Sequence, residues 1–189
     1  MKMKAKEFFS IPNILSYIRL LLIPVFIMTY LHATTAKGYI LSAVVILLSG
    51  ITDFADGFIA RKFNMITQWG KLLDPIADKL TQAAIVICLM SKIKGMWILF
   101  TIFIVKELCM GLCYLFLMKK GNKLDGAKWF GKLSTFVFYI ATFVIIANPK
   151  CTTTVLYTIM IVTAFFLLLS FAMYMRVFYQ MRRELKFPQ

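Results

Sequence analysis

Four of the eight acidic residues fall between positions 53 and 78, inside or beside long apolar segments: Asp53, Asp56, Asp74 and Asp78. The first two are three residues apart and the last two are four apart, so each pair shares one face of a helix. A carboxylate at membrane depth costs about 2.5–3.5 kcal/mol, and clustered carboxylates also repel one another. A bound divalent cation would offset both costs.

The carboxylate cluster offers hard oxygen ligands, which favour Mg²⁺, Mn²⁺ or Ca²⁺ over zinc. Four carboxylates can hold two such ions close together, an arrangement that clamps phosphoryl oxygens during a displacement reaction. Arg61 and Lys62 follow the first pair and could contact a phosphate. Gly57 and Gly70 leave room for a ligand beside the backbone, although small residues also serve the close packing of membrane helices.

The elements that must position these residues are predicted to be membrane helices. The chain has 189 residues, of which 61% are hydrophobic and only 16% are charged, so it carries more apolar surface than a soluble domain can bury. Only helices and closed barrels satisfy their backbone polar groups in a bilayer, and the long apolar runs lack the two-residue alternation of strands. We predict one all-α integral membrane domain over residues 1–189, with a short interfacial helix, or else a frayed basic tail, at about 1–11. Six transmembrane helices are predicted at residues 12–32, 38–60, 70–91, 95–118, 130–148 and 153–176.

The distribution of positive charge predicts which helix ends face the cytoplasm. Of the 22 Lys and Arg residues, fifteen lie on the N-terminal arm, the 60–71 turn, the 118–132 loop and the C-terminus, and four lie on the other side. This asymmetry places both termini in the cytoplasm, as an even number of spans requires. Asp53 and Asp78 then lie about 12 Å from the cytoplasmic ends of their helices. Topology and anionic headgroups explain the net charge of +14, so we expect no nucleic-acid partner.

The stretch from Asp53 to Arg61, followed by that from Gly70 to Asp78, resembles the signature of the CDP-alcohol phosphatidyltransferases. That signature is D-x2-D-G-x2-A-R-x8-G-x3-D-x3-D, and all eight of its fixed positions occur here with the same gaps. The resemblance also extends to six spans, cytoplasmic termini and the length of the chain. It implies a homodimeric enzyme of phospholipid biosynthesis that acts on CDP-diacylglycerol among membrane lipids.

The resemblance also implies a role for each residue of the signature. The first three aspartates would bind two divalent ions, Mg²⁺ or Mn²⁺, and the fourth also lies at the metal site. Asp78 would be the general base that takes a proton from the acceptor hydroxyl, which attacks the β-phosphorus of CDP-diacylglycerol and releases CMP. Spacing alone does not say which carboxylate is the base. The residues implied to shape the CDP site are Asp56, Gly57, Ala60, Arg61 and Gly70.

The identity of the acceptor depends on residues outside the signature. The stretch from Ile11 to Arg19 resembles the P-N-x-[LI]-[ST]-x2-R start of phosphatidylglycerophosphate synthases and of CDP-alcohol-type cardiolipin synthases. Asn13 could instead be a helix cap, whereas a buried Arg19 needs a partner. Lys106 could bind the acceptor or merely pair with the adjacent Glu107. The candidate acceptor-binding residues are Lys106, Lys132 and Arg19.

Two departures from the phosphatidylglycerophosphate synthase pattern bear on this choice. Lys106 stands where those enzymes usually carry Arg, and Ser134 stands where they tend to carry a second lysine. Both changes weaken the case for a phosphate-bearing acceptor. We still expect sn-glycerol 3-phosphate, with phosphatidylglycerol, the acceptor of a cardiolipin synthase, as the alternative.

A divalent-cation transporter is the alternative from a different class, because intramembrane carboxylates also mark ion pathways. The cluster lies near one face without a second acidic site beyond it, and Arg61 at the mouth would repel cations. We therefore predict an enzyme in a bacterial plasma membrane, with several spans and with its active site toward the cytoplasm.

Overall fold

The computed structural model describes residues 8–65, 67, 69–119 and 129–186, and all regular structure within these ranges is helical. Six long helices follow one another along the chain: α1 Ile11–Leu31, α2 Ala36–Lys62, α3 Gly70–Lys92, α4 Met96–Lys119, α5 Trp129–Ala147 and α6 Thr153–Lys186. The predicted all-α class is confirmed. Most of the predicted interfacial segment, about 1–11, lies outside the described residues.

Five of the described helices are long and apolar enough to cross a bilayer: α1, α2, α5, Met96–Cys113 of α4 and Thr153–Arg182 of α6. The chain is therefore a membrane protein with several spans. The helix α3 has the length of a span, 23 residues, but its N-terminal half carries charged residues that include Asp74, Asp78 and Lys79. These groups cannot face hydrocarbon without a large cost, so a crossing by α3 requires that its polar side faces protein.

The last helix is longer than the sequence predicted. We expected a span at residues 153–176, whereas α6 continues to Lys186 and comprises 34 residues. A helix of that length extends about 51 Å, well beyond the roughly 30 Å of a hydrocarbon core. The basic residues Arg176 and Arg182 lie in its final third, where the helix can leave the membrane.

The described residues form two compact units. The first comprises the chain up to Ile93 together with Thr142–Lys150, and the second comprises Lys94–Ala141 together with the chain from Cys151 onward. In the first unit, α1 packs against both α2 and α3. In the second unit, α4 packs against α6. The four signature aspartates all belong to the first unit.

Lys92, at the C-terminal end of α3, joins α1, α2 and α3. Its Nζ donates hydrogen bonds to the backbone carbonyls of Tyr30 (2.8 Å) and Ala33 (2.9 Å) and to the hydroxyl of Tyr39 (3.1 Å). It also lies over the aromatic rings of Tyr30 and Tyr39. The ammonium group meets the negative end of the α1 dipole, where carbonyls lack partners within the helix. Lys92 therefore ties the end of α1 to α2 and α3.

The second unit has an aromatic core that depends on a glycine. Phe130, Tyr174 and Phe178 form a buried cluster, and the rings of Phe130 and Tyr174 meet edge-on with centroids 4.6 Å apart. A Cβ atom at Gly131 would overlap the hydroxyl of Tyr174. The absence of a side chain at Gly131 thus allows α6 to approach α5.

Replacing Lys92 by methionine should lower the free energy of unfolding by about 1 kcal/mol, because an exposed ammonium group loses hydrogen bonds that solvent partly replaces. Thermal unfolding of the purified protein in detergent measures this change. The matched control is Lys94→Met, which removes another exposed lysine two residues further along. Equal stability of the two variants would contradict the role assigned to Lys92.

Candidate active site

Three of the four signature aspartates meet in the first unit. Asp53 and Asp56 lie in the C-terminal half of α2, and Asp74 lies in the first turns of α3. One oxygen from each of the three carboxylates lies within 4.8 Å of the other two. The three-residue spacing on α2 turns both of its carboxylates to one side, and the connection between α2 and α3 brings Asp74 opposite them. We call Asp53, Asp56 and Asp74 the carboxylate triad.

Arg19 of α1 supplies a positive charge to the carboxylate triad. Its side chain is fully buried, and Nη1 lies 2.7 Å from Asp53 Oδ1 and 3.2 Å from Asp74 Oδ1. Its Nη2 contacts Asp56 Oδ2. A guanidinium group carries five N–H donors in a fixed planar fork, so one arginine can bind carboxylates from two other helices at once. The partner that a buried Arg19 requires is thus the triad itself.

Asp56 is the most enclosed member of the triad, with 3% of its side chain exposed. Its Oδ2 accepts a hydrogen bond from the hydroxyl of Ser16 (3.2 Å) and contacts Arg19. Its Oδ1 is buried and accepts no hydrogen bond from the residues that the structure describes. The side chains of Asp53 and Asp74 are more open, at 35% and 45% exposed. An orphaned buried oxygen beside two accessible carboxylates fits a hard divalent cation, which binds oxygen ligands of this kind.

Asp78 lies one turn beyond Asp74 and outside the group of three. Both of its oxygens accept hydrogen bonds from the side-chain amide of Gln82 at 3.2 Å, and its Oδ2 lies 3.6 Å from Lys79 Nζ. Its charge lies close enough to interact with those of Asp53 and Asp74. Gln82 was not predicted from the sequence as a site residue, although its position four residues after Asp78 places the two side chains on the same face of α3.

The N-terminal half of α1 contacts the connection between α2 and α3. Asn13 Nδ2 donates to Thr67 Oγ1 (3.2 Å), and the same oxygen accepts the backbone N–H of Gly70 (2.9 Å). The indole N–H of Trp69 donates to the hydroxyl of Tyr17 (2.8 Å). Ser10 occupies the N-cap position of the helix, so Asn13 lies inside α1 and is not its cap. The stretch of α1 that resembles the start of the synthases therefore holds the loop that leads into Asp74.

The two glycines of the signature have different surroundings. A Cβ atom at Gly70 would lie 2.5 Å from Asn13 Oδ1 and 2.9 Å from Thr67 Oγ1, so a side chain there would displace these two side chains, which join α1 to the loop. The atoms nearest to a Cβ atom at Gly57 would be those of the Arg61 guanidinium, of which Nη1 lies at 3.3 Å. The close packing considered for both glycines is thus evident at Gly70. Arg61 is exposed and Ala60 is half-buried, both in the last turns of α2.

The two lysines predicted to bind the acceptor belong to the second unit. Lys106 is 5% exposed, and its Nζ lies 2.9 Å from Glu107 Oε1, the ion pair that we considered as its alternative role. Lys132 lies exposed on α5. Ser134, on the same helix, is buried and donates its hydroxyl to the backbone carbonyl of Gly131. Arg19, the third acceptor candidate, contacts all three carboxylates of the triad.

A family model described as CDP-alcohol phosphatidyltransferase matches residues 9–176, a range that includes the triad, Asp78 and Arg19. The chain belongs to the CDP-alcohol phosphatidyltransferase family. Members of this family generally depend on a divalent metal, in keeping with the acidic cluster between α2 and α3.

Several bacterial proteins named CDP-diacylglycerol–glycerol-3-phosphate 3-phosphatidyltransferase are similar to the chain. The relative from Rickettsia bellii is 46% identical over 84 residues, which are 44% of this chain and 45% of the relative. The relative from Wigglesworthia glossinidia brevipalpis is 33% identical over 138 residues, which are 71% of this chain and 75% of the relative. The relative from Salmonella typhimurium is 28% identical over 145 residues, which are 75% of this chain and 79% of the relative. The chain thus spans less than half of the Rickettsia protein and about three quarters of the other two.

Substitution of Gly70 by alanine should destabilise the first unit by about 1–3 kcal/mol, because the added methyl group overlaps Asn13 and Thr67. Thermal unfolding in detergent measures the loss. The matched control is Gly50→Ala on α2, where an added Cβ meets nothing within 4 Å among the described residues.

A second variant identifies the clash. The double substitution Asn13→Ala with Gly70→Ala should recover part of the loss, since removal of the Asn13 side chain makes room for the methyl group. If Gly70→Ala unfolds at the temperature of Gly50→Ala, the close contact between α1 and the start of α3 is wrong.

Proposed function

We propose that the chain transfers the phosphatidyl group of CDP-diacylglycerol to sn-glycerol 3-phosphate, with phosphatidylglycerophosphate and CMP as products. The observation that carries the proposal is the carboxylate triad, three oxygens within 4.8 Å of one another in a chain of the CDP-alcohol phosphatidyltransferase family. The names of the relatives from Rickettsia, Salmonella and Wigglesworthia support glycerol 3-phosphate as the acceptor. Phosphatidylglycerol, the acceptor of a cardiolipin synthase, is the second candidate.

In this proposal Asp53, Asp56 and Asp74 hold two divalent ions, Mg²⁺ or Mn²⁺, with Asp78 at the edge of the same site. The ions, when bound, neutralise and orient the phosphoryl oxygens of the donor. The buried Oδ1 of Asp56 and the open carboxylates of Asp53 and Asp74 support this assignment. The CDP group would lie along the end of α2, against Gly57, Ala60 and the exposed Arg61, near Gly70 at the start of α3.

Asp78 is proposed as the general base. Its carboxylate accepts the proton of the acceptor hydroxyl as the hydroxyl oxygen forms its bond to the β-phosphorus, and the bond from that phosphorus to the CMP oxygen breaks. Gln82 supports this role, because its amide contacts both oxygens of Asp78 and so holds the carboxylate in one orientation. Asp78 lies one turn beyond Asp74 on α3, beside the triad that would hold the metal.

The acceptor phosphate is proposed to bind Lys106 and Lys132. Lys106 is a buried cation next to Glu107, and a charge at that depth in an apolar helix marks a functional site by default. Lys132 is exposed on α5 and can reach a charged ligand. We assign Arg19 to the carboxylates instead of the acceptor, because its guanidinium already contacts three of them.

The setting proposed for the enzyme follows from charge and family. We propose a single membrane domain over residues 1–189 in the bacterial plasma membrane, with the carboxylate end of α2 and α3 toward the cytoplasm. The excess of Lys and Arg on the loops of that side supports the orientation. A homodimer, surrounded by membrane lipids, is the proposed assembly.

Replacing Asp78 by asparagine should lower the release of CMP from CDP-diacylglycerol by at least about 100-fold, because general base catalysis contributes a factor of that order. The protein should still fold, as thermal unfolding in detergent would show. The matched control is Asp125→Asn, since Asp125 is the one aspartate outside the signature. Wild-type turnover by Asp78→Asn would rule out Asp78 as the base.

The acceptor is identified by supplying purified protein and CDP-diacylglycerol with one alcohol at a time. We expect CMP release with glycerol 3-phosphate and little with phosphatidylglycerol, inositol phosphate or serine. Release with phosphatidylglycerol alone would instead identify a cardiolipin synthase.

In excess EDTA the reaction should stop, and full activity there would contradict the proposed metal site.

A further inference from the structure

Arg19 carries a buried positive charge into the carboxylate triad from a third helix. Its side chain is fully buried, and its two terminal nitrogens contact all three carboxylates. A buried guanidinium and a group of buried or half-buried carboxylates are each costly alone, and together they compensate each other. The charge of Arg19 therefore lets the triad assemble within the first unit.

Arg19 contacts one named oxygen of each carboxylate in the triad. Arg19 contacts Oδ1 of Asp53, Oδ1 of Asp74 and Oδ2 of Asp56. The Ser16 hydroxyl adds a hydrogen bond to the same Oδ2, so Oδ1 of Asp56 is the oxygen left without a hydrogen bond from the described residues. Each aspartate can thus offer one oxygen to a cation while α1 holds the other.

Ser16 and Arg19 are three residues apart on α1, and Asn13 lies three residues before Ser16. This spacing places the three side chains along one side of the helix. Asn13 contacts the loop at Thr67, Ser16 contacts Asp56, and Arg19 contacts the whole triad. The helix α1 thus approaches the site through a continuous stripe of polar contacts, of which Arg19 is the charged end.

We propose that Arg19 is a positioning residue, which orients one oxygen of each triad carboxylate toward a divalent cation and so raises the affinity of the triad for that cation. This inference rests on the proposed function in taking the triad as a divalent-metal site. Partners that orient metal-ligating groups typically contribute a factor of about 10–100 in metal affinity. Without the guanidinium, the three carboxylates repel one another and lose their common orientation.

The test measures Mn²⁺ binding by electron paramagnetic resonance on purified protein in detergent, without substrate. Arg19→Gln should weaken Mn²⁺ binding by about 10–100-fold relative to the unaltered protein. Affinity within twofold of the unaltered protein, or tighter binding, would overturn the inference, because Arg19 would then be only a counterion that competes with the metal.

A second variant, Arg19→Lys, tests the inference if Arg19→Gln fails to fold. Lysine retains the positive charge among the carboxylates but has a single nitrogen instead of a planar fork. We expect this variant to fold, to bind Mn²⁺ at least about threefold more weakly than the unaltered protein and to alter the Mn²⁺ spectrum. Affinity within twofold together with an unchanged spectrum would overturn the positioning role.

Two controls separate this inference from loss of stability and from failure of the proposed function. Lys92→Met removes a cation at the opposite end of α1, so its Mn²⁺ affinity should be unchanged although its stability is lower. A loss of affinity equal to that of Arg19→Gln would mean that general destabilisation is responsible, and the inference would be wrong. Asp56→Asn should abolish tight binding; if it binds Mn²⁺ as well as the unaltered protein, the triad is not the metal site and the proposed function loses its support.

Discussion

The cost of bringing three carboxylates together, one of them buried, governs the structure of the first unit. Asp53 and Asp56 lie on α2 and Asp74 lies on α3, and their negative charges repel one another. The positive charge of Arg19, buried on α1, offsets this repulsion. The helices α1, α2 and α3 must therefore pack together for the site to exist. The same packing permits α3, the most charged of the six described helices by composition, to stand beside apolar neighbours. The site therefore forms only when α1, α2 and α3 pack together, and its ion pairs in turn stabilise that packing.

The helix α1 connects the two ends of this unit. At one end, Asn13 and Tyr17 hold the loop before α3, while Ser16 and Arg19 bind the aspartates. At the other end, Lys92 of α3 binds the carbonyls where α1 ends. Contacts at both ends fix the position of α1 along and around its axis, which a purely apolar interface between membrane helices does less well. A fixed α1 is what allows Arg19 to keep its three partners.

The donor site and the acceptor site of the proposed reaction are supported by different numbers of structural observations. The donor half is supported by the triad, by Asp78 with its Gln82 contact and by the family match over residues 9–176. The acceptor half depends on Lys106 and Lys132 in the second unit, whose ion pair and exposure are compatible with a phosphate but do not select one. Lys106 and Ser134, the two departures from the synthase pattern, both concern this half of the reaction.

The amino-acid sequence by itself determined the helical class, the ends of most helices and the presence of two signature aspartates on each of α2 and α3. These features depend on local periodicity, on long apolar runs and on a short connection between α2 and α3, all of which are visible within about 20 residues. Local spacing also sufficed to find the signature, since its eight fixed positions lie between Asp53 and Asp78. The extension of α6 beyond its apolar part was missed, because hydropathy reports where the membrane ends and a helix can continue in water.

Only the tertiary structure decided which residue neutralises the charge of the aspartates and which glycine lies at a close contact between helices. Arg19 lies 37 positions before Asp56 and 55 before Asp74, and Asn13 lies 54 before Thr67. No periodicity relates residues so far apart, so a buried arginine could be predicted to need a partner but not which partner it would find. The contact of Gly70 with Asn13 likewise depends on how closely α1 approaches α3, a distance set by the packing of whole helices.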